Sequence, residues 1–167
     1  GYSRDQVLGS LEKRHQDSIN FIHPQRTFSD VVVRFQQPVG GKGNGDYRHL
    51  DVRQILRPTL PHPDVRPILD GRGANAGFHL ELSRDNDGKP VDILAIDGNI
   101  SDEHANNLED LLWKHIPEAG HLRGQSRGDV GAIDASRDGR VLSHPLALTQ
   151  LLIAYHMVKA AVGEYAV

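Results

Sequence analysis

The chain contains no cysteine at all. That absence excludes disulfide bonds, zinc sites built from thiolates and, in this sequence, a cysteine nucleophile. No apolar run is long enough to cross a bilayer and no signal peptide is seen, so we expect no membrane span. The ten histidines are scattered. None belongs to an HExxH motif or a close His-x-His pair, so the sequence predicts no metal site.

Excess charge and aromatic residues are also scarce. The net charge is −3 with neutral histidines, and aromatic residues make up 5% of the chain. This balance gives no general attraction to nucleic acid or to an anionic membrane, so nucleic acid is not an expected partner. A chain of 167 residues is long enough for one domain with a proper core. We predict a single domain over residues 1–167, with loop segments at 39–46 and 57–73.

The stretch 77–99 predicts a β-hairpin. Its first strand alternates between apolar and polar side chains, with His79 on the polar face. Dense turn formers, including an Asp-Gly pair, separate this strand from the apolar run at 91–96. Such a continuous run is typical of a strand covered on both faces. Asp97 ends the second strand, and we expect it near the level of His79.

A carboxylate next to His79 would hold the imidazole in one tautomer and raise its basicity. Asp97 is therefore a candidate orienting acid, and His79 a candidate general base. The alternative is structural: His79 is a strand residue on a half-exposed face, and Asp97 is a turn residue that ends a strand. The two residues by themselves do not distinguish these interpretations.

The remaining elements follow from caps, periodicity and prolines. We predict helices at residues 4–20, 47–56, 101–116 and 143–162, and further strands at 27–36, 129–135 and 139–142. The last helix is apolar nearly all round, which indicates a buried position. The predicted fold class is α/β in the α+β sense: a small mixed β-sheet with a central hairpin, flanked by helices, with a buried C-terminal helix.

Two loop segments carry residues that suggest anion binding. Residues 39–46 place four glycines around one lysine, but the spacing does not match a phosphate-binding loop, and we predict a surface loop. The proline-rich segment 57–73 excludes regular structure. Arginines in and near it are either a candidate anion-binding edge or solvated surface. They are Arg53, Arg57, Arg66 and Arg72.

The order of these features resembles the clan CE cysteine enzymes, which are the SUMO and ubiquitin-like proteases and the YopJ family of bacterial effector acetyltransferases. His79 on a strand, Asp97 in LAIDGN at the end of the next strand, a helix and a later buried helix match that order over residues 77–160. The resemblance implies acyl-transfer or peptidase chemistry, with His79 as base, Asp97 as orienter and Gln125 as oxyanion donor.

The same resemblance implies a secreted effector delivered to a host cell, or a cytoplasmic protein, acting on a host protein. In its YopJ-like form it also implies acetyl-CoA as cofactor. The nucleophile is the departure from the family. Distance along the chain places the nucleophile near residues 141–143, where Ser143 would substitute for the cysteine. The local sequence of residues 125–131 instead puts Val130 in the position of the cysteine. Chance similarity, a degenerate binding form and replacement of the cysteine are the three open interpretations.

A second hypothesis needs no cysteine. It is a toxin-like enzyme, either an RNase or a nucleotide glycohydrolase, that uses scattered side chains as acid, base and phosphate clamp. Its candidate residues are His79, His121, Arg123 and Arg127. A non-catalytic protein-interaction domain is the third possibility.

Overall fold

The computed structural model describes residues 3–38, 47–60, 62–69, 77–126, 128–135 and 139–163. Its α-helices are α1 (Arg4–Asp17), α2 (Arg66–Leu69), α3 (Asp102–His115) and α4 (His144–Ala161). Its strands are β1 (Val31–Gln36), β2 (Asp51–Leu56), β3 (Phe78–Arg84), β4 (Pro90–Ile96), β5 (Ala132–Ala135) and β6 (Gly139–Leu142). A π-helical turn at Ser18–Ile22 and 3-10 turns at His23–Phe28, Tyr47–His49 and Pro117–Leu122 connect them. This content confirms the α+β class.

The main sheet has four strands in the order β1-β2-β4-β3. All its pairs are antiparallel, so the prediction of a mixed sheet is corrected to a purely antiparallel one. The predicted hairpin is present as β3 and β4. The Asp85 amide donates to the Lys89 carbonyl at its turn, and Gly88 there has a φ of 76°. Of the two hairpin strands, β4 lies inside the sheet because β2 pairs with its other side, and β3 lies at the edge.

The core lies between one face of this sheet and the pair α3 and α4. Even-numbered residues of β2 and β4 form that face because successive side chains of a strand alternate. They pack in one buried cluster with leucines from both helices. The main members are Val52, Leu56, Leu94, Ile96, Leu108, Leu112, Leu148 and Leu152. The buried C-terminal helix that the sequence predicts is therefore the one that covers the sheet.

Residues 47–56 contain a strand where the sequence predicted a helix. Tyr47–His49 forms a 3-10 turn, and β2 follows with alternate residues fully buried. One of the buried positions is Gln54, whose side chain has no solvent exposure. A polar residue at a core position hides the period-two pattern, which explains the wrong prediction. The predicted loop at 57–73 contains the short helix α2, and the predicted loop at 39–46 lies outside the described residues.

The N-terminal helix contributes nothing to the core. Ser3 and Gln6 form a capping box, with hydrogen bonds of 2.8 and 3.2 Å. None of the α1 residues is buried, and apolar side chains such as Leu8 and Leu11 are about half exposed. Over the ranges that the structure describes, every helix is too short or too polar to cross a bilayer.

Candidate functional site

His79 and Asp97 occupy neighbouring positions at one end of the hairpin. His79 lies on β3 opposite Ala95, and the Asp97 amide donates to the Gly77 carbonyl at 2.8 Å. Asp97 is thus opposite Gly77, two residues from His79 along the strand, which is near the level of His79, as the sequence predicts. No hydrogen bond or ion pair joins their side chains among the contacts of the described residues, and His79 is exposed to solvent.

Ser143 lies on the other side of the sheet. It is the N-cap of α4, which covers the face of even-numbered strand residues, whereas His79 belongs to the opposite set. The Ser143 hydroxyl donates to the Arg48 carbonyl at 2.9 Å and accepts from the Leu146 amide at 3.4 Å. Both interactions are those of a buried cap, which is 3% exposed.

Gln125, the predicted oxyanion donor, is exposed in a turn after the 3-10 segment Pro117–Leu122. The structure brings His79 and Asp97 to one level of the sheet and does not bring Ser143 to His79. The acyl-transfer roles that the resemblance implies for these residues stay predictions. The resemblance to clan CE enzymes itself stays a prediction.

A cleft of about 810 Å³ opens beside the N-terminus of α4. One wall is α3, and the opposite wall consists of residues 120–126 and 128–130. The end of β6 leads into the floor of the cleft. We call this space the α3–α4 cleft. Its lining combines two carboxylates, an imidazole, a guanidinium and an indole, contributed by Glu109, Asp110, His144, Arg123 and Trp113.

Glu109 is the half-buried carboxylate of this cleft. Burial raises the pKa of its carboxyl, because a charged carboxylate loses solvation there, and Asp110 next to it also raises the pKa. His144 and Arg123 act in the opposite direction, and burial outweighs them. The pKa of the Glu109 carboxyl is thus higher than that of an ordinary glutamate. A raised pKa favours the protonated form that a proton donor needs.

His144 lies beside Glu109. Its Nδ1 lies 4.0 Å from Glu109 Oε1, and its Nε2 lies 3.2 Å from Asp102 Oδ1. The His144 side chain is 30% exposed. The sequence places the imidazole here because Ser143 caps α4 and His144 takes the first helical position, directly beside α3. The distance to Glu109 is that of an ion pair and exceeds that of a hydrogen bond.

Arg123 and Trp113 complete the cleft. Arg123 forms an ion pair with Asp110 on the rim, and both side chains are about half exposed. Trp113 is one helical turn after Glu109 and packs partly against the hydrophobic core. A fixed indole next to carboxylates offers a flat apolar surface with hydrogen-bonding groups at its edge. This combination suits a ring-shaped polar ligand.

Only some residues of the hypothesised RNase or nucleotide glycohydrolase site lie in this cleft. Of its residues, Arg123 lines the cleft, His121 lies exposed on the preceding turn, and Arg127 lies outside the described residues. His79 is on the far side of the sheet. Glu109 and His144 were not predicted from the sequence. The available signal was the position of Glu109 beside the buried leucine stripe of α3, four residues before Trp113.

The candidate anion-binding arginines are engaged elsewhere. Arg53 pairs with Glu81, Arg57 with Asp85 at 2.6 Å, and Arg66 with Asp64 at 2.8 Å. Those carboxylates neutralise the edge that these arginines would form, which favours the surface interpretation. Arg72 lies outside the described residues.

No group of three or more histidine, aspartate or glutamate side chains is arranged to hold a metal ion in the part of the chain that the structure describes. No known family model matches the chain, and no curated protein matches its sequence significantly.

Proposed function

We propose that the chain is a hydrolase that cleaves a glycosidic bond of a small ligand bound in the α3–α4 cleft. One observation carries the proposal: a half-buried carboxyl with a raised pKa, Glu109, lines a cleft that also holds a second carboxylate and an indole. Enzymes that hydrolyse glycosidic bonds usually use two carboxyl groups in different environments, because one must donate a proton while the other is charged.

Each cleft residue has a separate role in this reaction. The protonated Glu109 donates its proton to the leaving atom as the bond to the anomeric carbon breaks. The Asp110 carboxylate, held by Arg123, stabilises the positive charge that develops on the ring and accepts a proton from the attacking water. Trp113 supports the ring by stacking. After each turnover the half-exposed Asp110 releases its proton to solvent, and Glu109 takes up one proton from solvent water, so the protons balance.

The proposal belongs to the same class as the cysteine-independent hydrolase of the sequence analysis. Arg123 belongs to both candidate sites, whereas Glu109 now has the role of the acid in place of His79 and His121. Acyl transfer is disfavoured because both hydrogen bonds of the Ser143 hydroxyl are structural. Delivery to a host cell, a host-protein substrate and acetyl-CoA as cofactor stay predictions of the clan CE resemblance.

The test is a fluorescence assay with two substrate sets, 4-methylumbelliferyl glycosides and etheno-NAD. We expect the wild-type chain to hydrolyse a member of one set, and Glu109→Gln to reduce kcat by about 100-fold or more, since the amide cannot donate a proton. Glu103→Gln, an exposed change on the same helix, is the matched control. Turnover that Glu109→Gln leaves intact, or no turnover of either set, would overturn the proposal.

A further inference from the structure

Strand β3 has an open edge. It is the last strand in the order β1-β2-β4-β3, and no other described strand pairs with its outer side. Its core-side leucines are uncovered: Leu80 is 40% exposed and Leu82 is 82% exposed. A seven-residue strand with unpaired backbone groups and exposed leucines is a template for another strand. This edge, residues 78–84, is called the β3 edge below.

The register of the hairpin decides which backbone groups face outward. The Asp97 amide bonds to the Gly77 carbonyl, and the Asp85 amide bonds to the Lys89 carbonyl. Since hydrogen-bonded pairs alternate along an antiparallel ladder, the odd-numbered residues of β3 direct their amides and carbonyls toward β4. The even-numbered residues, Phe78, Leu80, Leu82 and Arg84, therefore direct theirs away from β4. Of these, Leu80 and Leu82 are exposed, whereas Phe78 is buried in the core.

We infer that the β3 edge pairs with the β3 edge of a second copy of this chain, antiparallel and centred on Leu80. The outward residues must bond to outward residues, and this register meets that condition with Leu80 opposite Leu80. It also sets the exposed Leu82 opposite Phe78 of the second copy, at the border of that copy's buried core. The two sheets then continue as one eight-stranded sheet about a two-fold axis.

Charge decides between this register and its neighbour. With Leu80 at the centre, His79 lies opposite Glu81 of the second copy, and the symmetry repeats that contact. The shifted register centred on Glu81 would place two glutamates face to face, which is unfavourable for directly opposed positions. His79 has no side-chain partner among the described contacts of its own chain, whereas Glu81 already carries Arg53. The edge is thus complementary to itself in one register.

The test exploits the absence of cysteine. In an antiparallel hydrogen-bonded pair the opposed Cα atoms are about 5.5 Å apart, which a disulfide spans. Leu80→Cys should therefore cross-link two chains under oxidised glutathione. Leu82→Cys is the matched control, because its copies would lie about 13 Å apart along the strands, four residues at 3.3 Å each. Random collision predicts the reverse, since Leu82 is the more exposed side chain.

Sedimentation of the uncrosslinked full chain gives the second readout. His79→Glu places like charges opposite each other twice per dimer, and we expect about a tenfold rise in the dimer dissociation constant. His79→Lys places a positive charge opposite Glu81 of the second copy and should leave the constant unchanged or lower it. A monomeric wild-type chain, equal effects of the two variants, or faster cross-linking at position 82 than at position 80 would each overturn the inference.

Discussion

Gly98 shows how closely single residues are fitted in this molecule. Its amide donates to Asp51 Oδ1 at 2.8 Å, and its carbonyl lies 3.1 Å from His49 Nδ1. A Cβ added here would overlap the His49 carbonyl, which is backbone and cannot rotate away. The glycine thus fixes the turn after β4 against the residues that lead into β2.

We predict that Gly98→Ala lowers the free energy of unfolding by about 2 kcal/mol or more, because overpacking of this kind forces the backbone apart. Gly120→Ala is the control, since nothing lies within 4 Å of the place that its Cβ would take. Denaturant unfolding followed by circular dichroism measures both variants. A Gly98→Ala chain as stable as Gly120→Ala would contradict the close fit.

His156 lies on the buried side of α4 and is 6% exposed. Burial lowers the pKa of its imidazole to about 4, and the charge of His62 adds to that effect. The histidine in the unfolded chain has a pKa near 6.5. Below that pH the unfolded chain binds a proton at His156, whereas the folded chain does not until the pH approaches 4. Stability from this group is therefore complete above pH 6.5 and is lost as the pH falls toward 4.

The loss amounts to at most about 3 kcal/mol, from 1.36 kcal/mol per pKa unit. We predict that His156→Leu flattens the acid limb of the stability curve between pH 6.5 and 4. Urea unfolding at a series of pH values gives the curve. An unchanged slope in the variant would show that His156 does not set this limb. Glu109, whose pKa is raised, changes stability in the opposite direction, decreasing it as the pH rises.

At the scale of elements, the start of α4 serves both fold and cleft. The Ser143 hydroxyl caps the helix and also bonds to the Arg48 carbonyl, which ties α4 to the turn before β2. We predict that Ser143→Ala lowers the free energy of unfolding by about 1–2 kcal/mol, the usual cost of a lost buried cap. Hydrolytic kcat should remain within a few-fold of wild type.

Ser83→Ala, an exposed position on β3, is the control for that change. The measurements are thermal unfolding and the fluorescence assay on the same preparations. A Ser143→Ala chain that is fully stable but inactive would instead support the nucleophile that the clan CE resemblance implies.

The elements also show which features a sequence reveals. Ser3, Ser101 and Ser143 stand where helices begin, and the Asp-Gly turn marks the hairpin, because caps and turns are local signals. The strand at Asp51–Leu56 was missed because its buried Gln54 broke the apolar alternation. Its partner β4 lies about forty residues away in the chain, so pairing rather than local preference determines its structure.

The candidate site was harder to predict than the fold. Glu109 and His144 belong to different helices, and only the packing of α3 against α4 brings them within 4.0 Å. The environment that raises the Glu109 pKa is burial, which a sequence pattern gives only for apolar stripes. His79 and Asp97 were reachable because a hairpin places its strand ends at one level by local geometry. Ser143 was placed correctly at a helix start, and its role as a substitute nucleophile stays a prediction.

At the scale of the whole molecule, the folded core begins after the N-terminal helix. No α1 side chain is buried, and the helix makes its main contacts with the adjacent π-helical turn. We predict that a variant starting at Ser18 unfolds with a free energy within about 0.5 kcal/mol of the full chain, since surface changes away from the core cost little.

Leu152→Ala in α4 is the contrasting variant, and it should cost about 3 kcal/mol because its side chain has no solvent exposure. Both are compared by guanidinium unfolding. A large loss on removal of α1 would mean that the helix packs on the core in solution.

The strand order also constrains the kinetics of assembly. β3 and β4 are adjacent in the chain and form a local hairpin, whereas β2 reaches β4 only across the segment between them. Closing that longer loop costs conformational entropy before the contacts between β2 and β4 stabilise the chain. A transition state with the β3–β4 turn formed and β2 still detached follows from this order. Substitutions that shorten side chains in β4 would then slow refolding, while such substitutions in β1 would mainly accelerate unfolding.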